Sequence, residues 1–127
     1  MSRDLGNYAK NLRRDVVARQ KATYNVYVIE LSRDVLQHSK FVDANPYMRA
    51  DKPCVYVGST YLTPEQRYQQ HLDGYKSNYY AHEYAIQLKP RLYTNLQGFK
   101  TRKLAEAAEA KRAESLRKRG YAVWYGV

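Results

Sequence analysis

Several features are scarce in this sequence, and each scarcity excludes a class of protein. The single cysteine, Cys54, excludes an intrachain disulfide and a cysteine-rich zinc site. No segment approaches the roughly 20 apolar residues of a membrane span, and the polar N-terminus lacks the apolar core of a signal peptide. We therefore expect a cytoplasmic protein with no membrane partner.

Acidic residues are also few. The chain has 12 of them against 22 lysines and arginines, which gives a net charge of +10 and a pI near 9.7. Such a positive field attracts polyanions, so nucleic acid is the first candidate partner. The 127 residues suit one ordinary domain, and we expect a single domain over residues 1–127.

Phenylalanine occurs only twice, whereas tyrosine occurs 14 times. Tyrosine packs like other aromatic residues and still forms a hydrogen bond at its tip. Most of these tyrosines are expected in the core and on the surface, and a few are candidates for base stacking or catalysis.

Patterns of apolar residues predict the elements of an α/β (α+β) fold. Residues 4–20 have apolar positions at helical spacing, whereas residues 24–31 and 55–58 are rich in β-branched and aromatic residues. Further elements are predicted downstream: helices at 63–73, 78–88 and 100–119, a short edge strand at 91–96 and a last strand at 121–125. Residues 32–52 are expected to form a long loop with one short helical turn.

Two of these helices carry clear end signals. Thr63, Pro64 and Gln66 match an N-cap, a first-turn proline and a capping box. Gly120 follows a basic last turn, as glycine does after a helix C-terminus.

The candidate chemistry lies around the second strand and the helix after it. Tyr27 and Tyr56 lie on the two confident strands, and the helix carries Arg67 and His71, four residues apart on one face. A guanidinium binds phosphate bidentately and an imidazole transfers protons, so these residues suit phosphate chemistry. An ordinary exposed polar face remains the alternative.

Glu109 is the unusual acid of the long helix. Helical phase places it with Ala105, Ala113 and Leu116 in the apolar stripe, whereas Glu106 and Glu114 face basic neighbours. A carboxylate in that stripe is costly unless it is paired or bound to a metal, and both explanations stay open.

Taken in order, these residues resemble the GIY-YIG nuclease superfamily. Asn25-Val26-Tyr27 stands at the GIY position, Tyr56-Val57-Gly58 stands at the YIG position, and Arg67 falls at the place of the family's helix arginine. The segment that begins at Glu109 looks like the one that begins with the family's metal-binding glutamate. The resemblance covers nearly the whole chain from Tyr24.

The resemblance implies a small three-stranded antiparallel sheet flanked by helices and metal-dependent hydrolysis of phosphodiester bonds. Tyr27 and Tyr56 would line the site, Arg67 would bind the scissile phosphate, and Glu109 would hold one Mg²⁺ or Mn²⁺ ion. His71 matches a histidine that some restriction enzymes of the superfamily carry one turn after the arginine.

Three departures from the family pattern stand out. Asn25 replaces the first glycine, the insertion at residues 32–52 is expected to shape substrate access, and no asparagine follows Glu109. The role that such an asparagine has in several members is therefore unfilled or supplied otherwise.

The sequence thus predicts a metal-dependent endonuclease that acts on DNA, single-stranded or duplex, and the small domain favours single strands. Tyr27 or Tyr56 would activate water with assistance from His71, and the sequence does not choose between the two tyrosines. The alternatives are a catalytically silent nucleic-acid-binding module on the same fold and a basic RNA- or ribosome-associated protein.

Overall fold

The core is a four-stranded mixed sheet in the order β3-β1-β2-β4. A computed structural model describes residues 23–126, so the helix predicted for residues 4–20 lies outside the described residues, and the single-domain organisation stays a prediction. The strands are β1 (Asn25–Leu31), β2 (Cys54–Thr60), β3 (Ala85–Leu88) and β4 (Ala122–Tyr125). The α-helices are α1 (Ser39–Asp43), α2 (Pro64–Asp73), α3 (Tyr79–Tyr84) and α4 (Arg102–Lys118).

Strands β1 and β2 form the centre of the sheet. They pair antiparallel, with Tyr27 opposite Gly58 and Ile29 opposite Tyr56. Residues 26–29 of β1 are all buried, so both faces of this strand are covered. Helix α4 packs on β1, β2 and β4, and α2 packs on β1 and β3. The two predicted central strands and the helices predicted at 63–73 and 100–119 are therefore confirmed.

The prediction of a purely antiparallel, three-stranded sheet is wrong. Strand β4 joins the other side of β2 in parallel, with Val55 opposite Val123. A parallel pair needs a long crossover connection, and here that connection includes α4, which leads into β4.

The predicted helix at residues 78–88 ends early. Its apolar spacing holds through α3, but Ala85 is extended (φ −61°, ψ 132°) and begins β3. Strand β3 then pairs antiparallel with β1, with Ile29 opposite Leu88. Backbone pairing along the open edge of β1 satisfies groups that another helical turn would leave unpaired, so tertiary context overrides the local pattern.

The short edge strand predicted at residues 91–96 is also wrong. A 3-10 helix, Pro90–Leu92, and a turn occupy this stretch. A backbone hydrogen bond still links residues 91–96 to the sheet, where the Val26 amide donates to the Leu96 carbonyl over 2.9 Å. Proline at the first position favours the tight turn because its φ is already fixed.

The helix-end signals are confirmed in detail. Thr63 and Gln66 form a complete capping box at the start of α2, which ends at the left-handed Gly74 (φ 80°). Helix α4 spans 17 residues, and Gly120 beyond it has φ 93°. Such caps satisfy the otherwise unpaired backbone groups at helix ends.

The 32–52 insertion forms more regular structure than one helical turn. It contains a 3-10 helix, Arg33–Gln37, and helix α1. The Asn45 side chain fastens it to β4, accepting from the Val123 amide over 2.7 Å and donating to the Val123 carbonyl over 3.1 Å. The insertion thus completes the core beside β4.

Gly58 permits the closest approach across the central strands. A Cβ atom at this position would overlap the phenol of Tyr27, whose side chain crosses over the glycine. Tyr27 itself is only 1% exposed. The absent side chain at position 58 therefore fixes where the Tyr27 hydroxyl lies.

We expect Gly58→Ala to lower the free energy of unfolding by about 1–3 kcal/mol, the usual cost of an overpacked core. Urea denaturation measures this loss. In a Tyr27→Ala background the same substitution should be neutral or slightly stabilising, because the overlap is gone and alanine suits a strand better than glycine. An equal loss in both backgrounds would contradict the steric explanation.

Candidate active site

A cleft of about 810 Å³ lies where β1, β2, α4 and the loop after α2 meet. Four of the five predicted site residues line it: Tyr27, Tyr56, Arg67 and Glu109. The fifth, His71, lies behind the cleft wall. Segments that are far apart in sequence therefore converge, as the site prediction requires.

The two tyrosines lie side by side on the floor of the cleft. Their ring centroids are 6.2 Å apart. The Tyr56 hydroxyl donates a hydrogen bond to the carbonyl oxygen of Gly126, the residue after β4. Tyr56 thereby ties the chain beyond β4 to the cleft, whereas the Tyr27 hydroxyl points toward α2.

Arg67 is held in place by the loop that follows its own helix. Its Nη1 donates to the Gln70 side chain over 2.9 Å and to the Tyr75 carbonyl over 3.1 Å, and its Nη2 donates to the Lys76 carbonyl over 2.9 Å. These partners are neutral, and among residues 23–126 no carboxylate forms an ion pair with this guanidinium. A guanidinium that is held in place beside a cleft is well suited to bind phosphate.

Glu109 brings a carboxylate to the opposite wall. It is 7% exposed, as the helical phase of α4 predicted. Burial raises the pKa of Glu109, a hydrogen bond from Ser59 opposes this shift, and the charge of Glu106 adds to it. Among residues 23–126, no basic side chain forms an ion pair with Glu109, so an approaching cation would find a carboxylate whose charge is still to be compensated.

His71 is fully buried and reaches the cleft through Tyr27 and Ser77, which both line it. Its Nε2 lies 2.7 Å from the Tyr27 hydroxyl, and its Nδ1 lies 2.6 Å from the Ser77 hydroxyl. The Ser77 hydroxyl donates its own proton to the Asn78 carbonyl over 3.0 Å. These contacts form a continuous chain of hydrogen bonds that runs from one part of the cleft wall to another through the buried His71.

The proton positions in this chain follow from donor counting. A serine hydroxyl has one proton, and the arrangement that satisfies all the contacts is the one in which Ser77 donates to Asn78 and accepts from Nδ1–H of His71. Nε2 of a neutral His71 is then an acceptor, so the Tyr27 hydroxyl donates to it. The Tyr27 oxygen keeps its acceptor capacity toward the cleft, where the Arg67 guanidinium approaches it as a donor.

Burial is the largest influence on the pKa values of the hydrogen-bonded residues and of Tyr56 beside them. It lowers the pKa of His71 to about 3, with a further contribution from the charge of Arg67. It raises the pKa of Tyr27 to about 12, although Arg67 acts in the opposite direction through its charge and a hydrogen bond. Burial also raises the pKa of Tyr56, and the neighbouring Tyr27 and Glu109 add to the shift. The imidazole of His71 and the two phenols are therefore all uncharged at neutral pH.

Several residues that line the cleft were not identified from the sequence. They include two basic residues, Lys76 and Arg102, together with Ser59 and Glu106. Spacing could have revealed two of them, because positions 102, 106 and 109 share one face of α4. The 32–52 insertion, which was expected to shape access, contributes no residue to the cleft wall within the described chain.

The donor set fits a lightly held hard cation. Within the described part of the chain, no group of three or more His, Cys, Asp or Glu side chains gathers as a metal cage. Magnesium does not need such a cage, because it keeps several waters and binds through one or two carboxylates together with substrate phosphates. The buried carboxylate of Glu109, with Glu106 lining the same cleft, meets that requirement.

Fold and cleft together define a small α/β domain with an arginine and a buried carboxylate in one polar site. A family profile described as the GIY-YIG catalytic domain matches residues 23–122, so the chain belongs to this family. The family implies nuclease-type activity in general, and its nucleases are generally dependent on a divalent metal. Comparisons with curated proteins and with solved structures gave no match. Among the described residues, no helix is long and apolar enough to cross a membrane.

The lowered pKa of His71 predicts a specific dependence of stability on pH. The unfolded histidine binds a proton below about pH 6.5, whereas the folded one stays neutral until about pH 3. The stabilising contribution is therefore complete above pH 6.5 and is lost as the pH falls toward 3, by at most about 1.4 kcal/mol per pH unit. Among the described residues, the charged or titratable groups facing His71 include Tyr27, Tyr56, Arg67 and His82.

Chemical denaturation between pH 7 and pH 4 tests this dependence. His71→Gln should flatten the profile over that range, because the amide neither gains nor loses a proton. His38→Gln serves as the matched control, since His38 is only half-buried and lies outside the cleft wall. An unchanged slope in His71→Gln would show that other groups cause the acid sensitivity.

Proposed function

We propose that this protein is a divalent-metal-dependent endonuclease that hydrolyses phosphodiester bonds in DNA. The observation that carries the proposal is the convergence, in one cleft, of Arg67, the buried Glu109 and the Tyr27 hydroxyl backed by His71. The family and the net charge of +10 support the same reading. A silent binding module would have no need of a buried carboxylate, which is costly to maintain.

Arg67 would bind the scissile phosphate and oppose the charge that grows on its oxygens. Its loop contacts hold the guanidinium in advance, so little reorganisation accompanies the reaction. Glu109 would hold Mg²⁺ or Mn²⁺, and the bound ion would neutralise charge on the phosphoryl and leaving oxygens.

The Tyr27 oxygen would orient the attacking water. As the water oxygen forms its bond to phosphorus, a proton passes from water to Tyr27 while the Tyr27 proton passes to Nε2 of His71. The bond from phosphorus to the leaving oxygen breaks, and that oxygen takes a proton from solvent. A second transfer returns the His71 proton to solvent through Tyr27.

The raised pKa of Tyr27 disfavours a mechanism in which this residue first ionises to a free phenolate. Ionising Tyr27 alone at pH 7 costs about 7 kcal/mol, since burial raises its pKa to about 12. Protonating His71 at pH 7 costs about 5 kcal/mol, since its pKa is about 3. Concerted transfer leaves Tyr27 neutral throughout. We propose Tyr27, rather than Tyr56, as the group that contacts water, because the Tyr27 hydroxyl contacts Nε2 of His71 whereas the Tyr56 hydroxyl donates to the Gly126 carbonyl.

Cleavage assays on single-stranded and duplex DNA with Mg²⁺, Mn²⁺ or a chelator test the proposal. Glu109→Gln should abolish metal-dependent cleavage and weaken Mn²⁺ binding measured by calorimetry. Arg67→Lys should lower kcat by about 10²–10³, because lysine lacks the planar guanidinium that binds phosphate through two hydrogen bonds. Glu114→Gln is the matched control, since this residue of the same helix pairs with Arg117 at the surface. Cleavage that survives the chelator or Glu109→Gln would refute the mechanism.

The relay is tested by combining two substitutions. Tyr27→Phe should lower kcat by about 10²–10⁴ while DNA binding changes little, because proton transfer contributes in that range. His71→Gln should also lower kcat, and the double variant should be no slower than Tyr27→Phe alone, because residues acting as one unit are not additive. Additive losses would show that His71 acts independently of Tyr27.

A further inference from the structure

A second cavity, the side pocket, opens beside the cleft. Its volume is about 360 Å³, within the range of ligand pockets. The cleft and the side pocket adjoin, because they share five lining residues: Ser59, Arg67, Lys76, Arg102 and Glu106. A ligand group in the side pocket would therefore lie next to whatever Arg67 binds.

The side pocket is lined by aromatic rings. Tyr24, Tyr61 and Tyr75 contribute to its wall, and Tyr61 and Tyr75 are 57% and 55% exposed. Burying tyrosine rings is normally favourable, so two largely exposed rings facing one pocket constitute an available apolar surface.

Positive charge accompanies these rings. The Lys76 ammonium lies 5.6 Å from the centre of the Tyr75 ring, and the Arg102 guanidinium lies 6.0 Å from the centre of the Tyr24 ring. Glu106 is the only carboxylate among the described residues that line the pocket. Aromatic faces beside cations match a flat ring attached to a phosphate.

Both walls of the side pocket are fixed by hydrogen bonds. Arg67 holds the carbonyls of Tyr75 and Lys76 on one side. On the other side the Asn25 side chain donates to the Leu62 carbonyl over 2.9 Å and accepts from the Gly98 amide over 2.9 Å. Asn25, which stands where the GIY motif has glycine, therefore has a structural role in this wall. A preformed pocket binds with less loss of conformational entropy.

We propose that the side pocket holds a nucleobase that is unstacked from its neighbours, adjacent to the phosphate on Arg67, and that the substrate is therefore single-stranded DNA. This inference rests on the proposed function and specifies its substrate. In a duplex each base face is covered by its neighbours, whereas stacking on tyrosine requires an exposed face. Single strands present such faces without the cost of unpairing.

Binding measured without cleavage tests the inference. The probe is a fluorescent single-stranded DNA oligonucleotide, and the protein is the Glu109→Gln variant in the presence of chelator. Tyr75→Ala and Tyr61→Ala should each weaken binding about 5- to 100-fold, the range of losses for base–aromatic stacking. Tyr75→Phe should retain most of the affinity, because the ring rather than the hydroxyl makes the contact.

An abasic oligonucleotide of the same length separates base stacking from phosphate contacts. Its affinity should be insensitive to Tyr75→Ala, since the phosphates remain and no base enters the pocket. Tyr47→Ala is the matched control, because Tyr47 is 75% exposed but lies at the other end of α4, near Lys118. The base-containing single strand should also bind the protein more tightly than the duplex of the same sequence does.

The outcomes distinguish this inference from the proposed activity. If Tyr75→Ala weakens binding equally for base-containing and abasic strands, or does not weaken it at all, the side pocket is not a base site, even if the wild-type protein cleaves DNA. Tighter binding to the duplex would also overturn it. If the tyrosine substitutions weaken binding only to strands that carry bases, and the wild-type protein never cleaves DNA, the result would confirm the pocket and refute the nuclease proposal.

Discussion

The hydrogen bond between the Tyr27 hydroxyl and buried His71 is the interaction on which the site depends. It exists because Gly58, opposite Tyr27 on the neighbouring strand, leaves space for the phenol to cross β2. Burial then keeps the imidazole neutral and gives the chain of donors a single direction. A strand register, one missing side chain and a buried histidine thus define where a proton can move.

The central architecture could be predicted because its signals are local. Capping residues set the start of α2, and the helical phase of α4 placed Glu109 in the buried stripe. Strand β3 could not be predicted in this way, because residues 85–88 continue a helical apolar pattern and become a strand only when the edge of β1 offers backbone partners. The parallel pairing of β4 likewise depends on a crossover that no local pattern encodes.

The candidate site also combines residues that the sequence identifies with residues whose positions depend on tertiary contacts. Residue types and order pointed to Tyr27, Tyr56, Arg67 and Glu109, and the structure brings all four to one cleft. His71 shares a helix face with Arg67, yet it is buried where Arg67 is half-exposed, because the face crosses the boundary between core and surface. Lys76 and Tyr75 were not identified because their positions depend on a loop that Arg67 itself holds.

The bond from Tyr56 to Gly126 links two neighbouring strands of the sheet at the cleft. It holds the backbone after β4 in place, with Gly126 lining the cleft next to Glu109. The shape of the cleft beside this carboxylate therefore depends on one phenol hydroxyl from the adjacent strand.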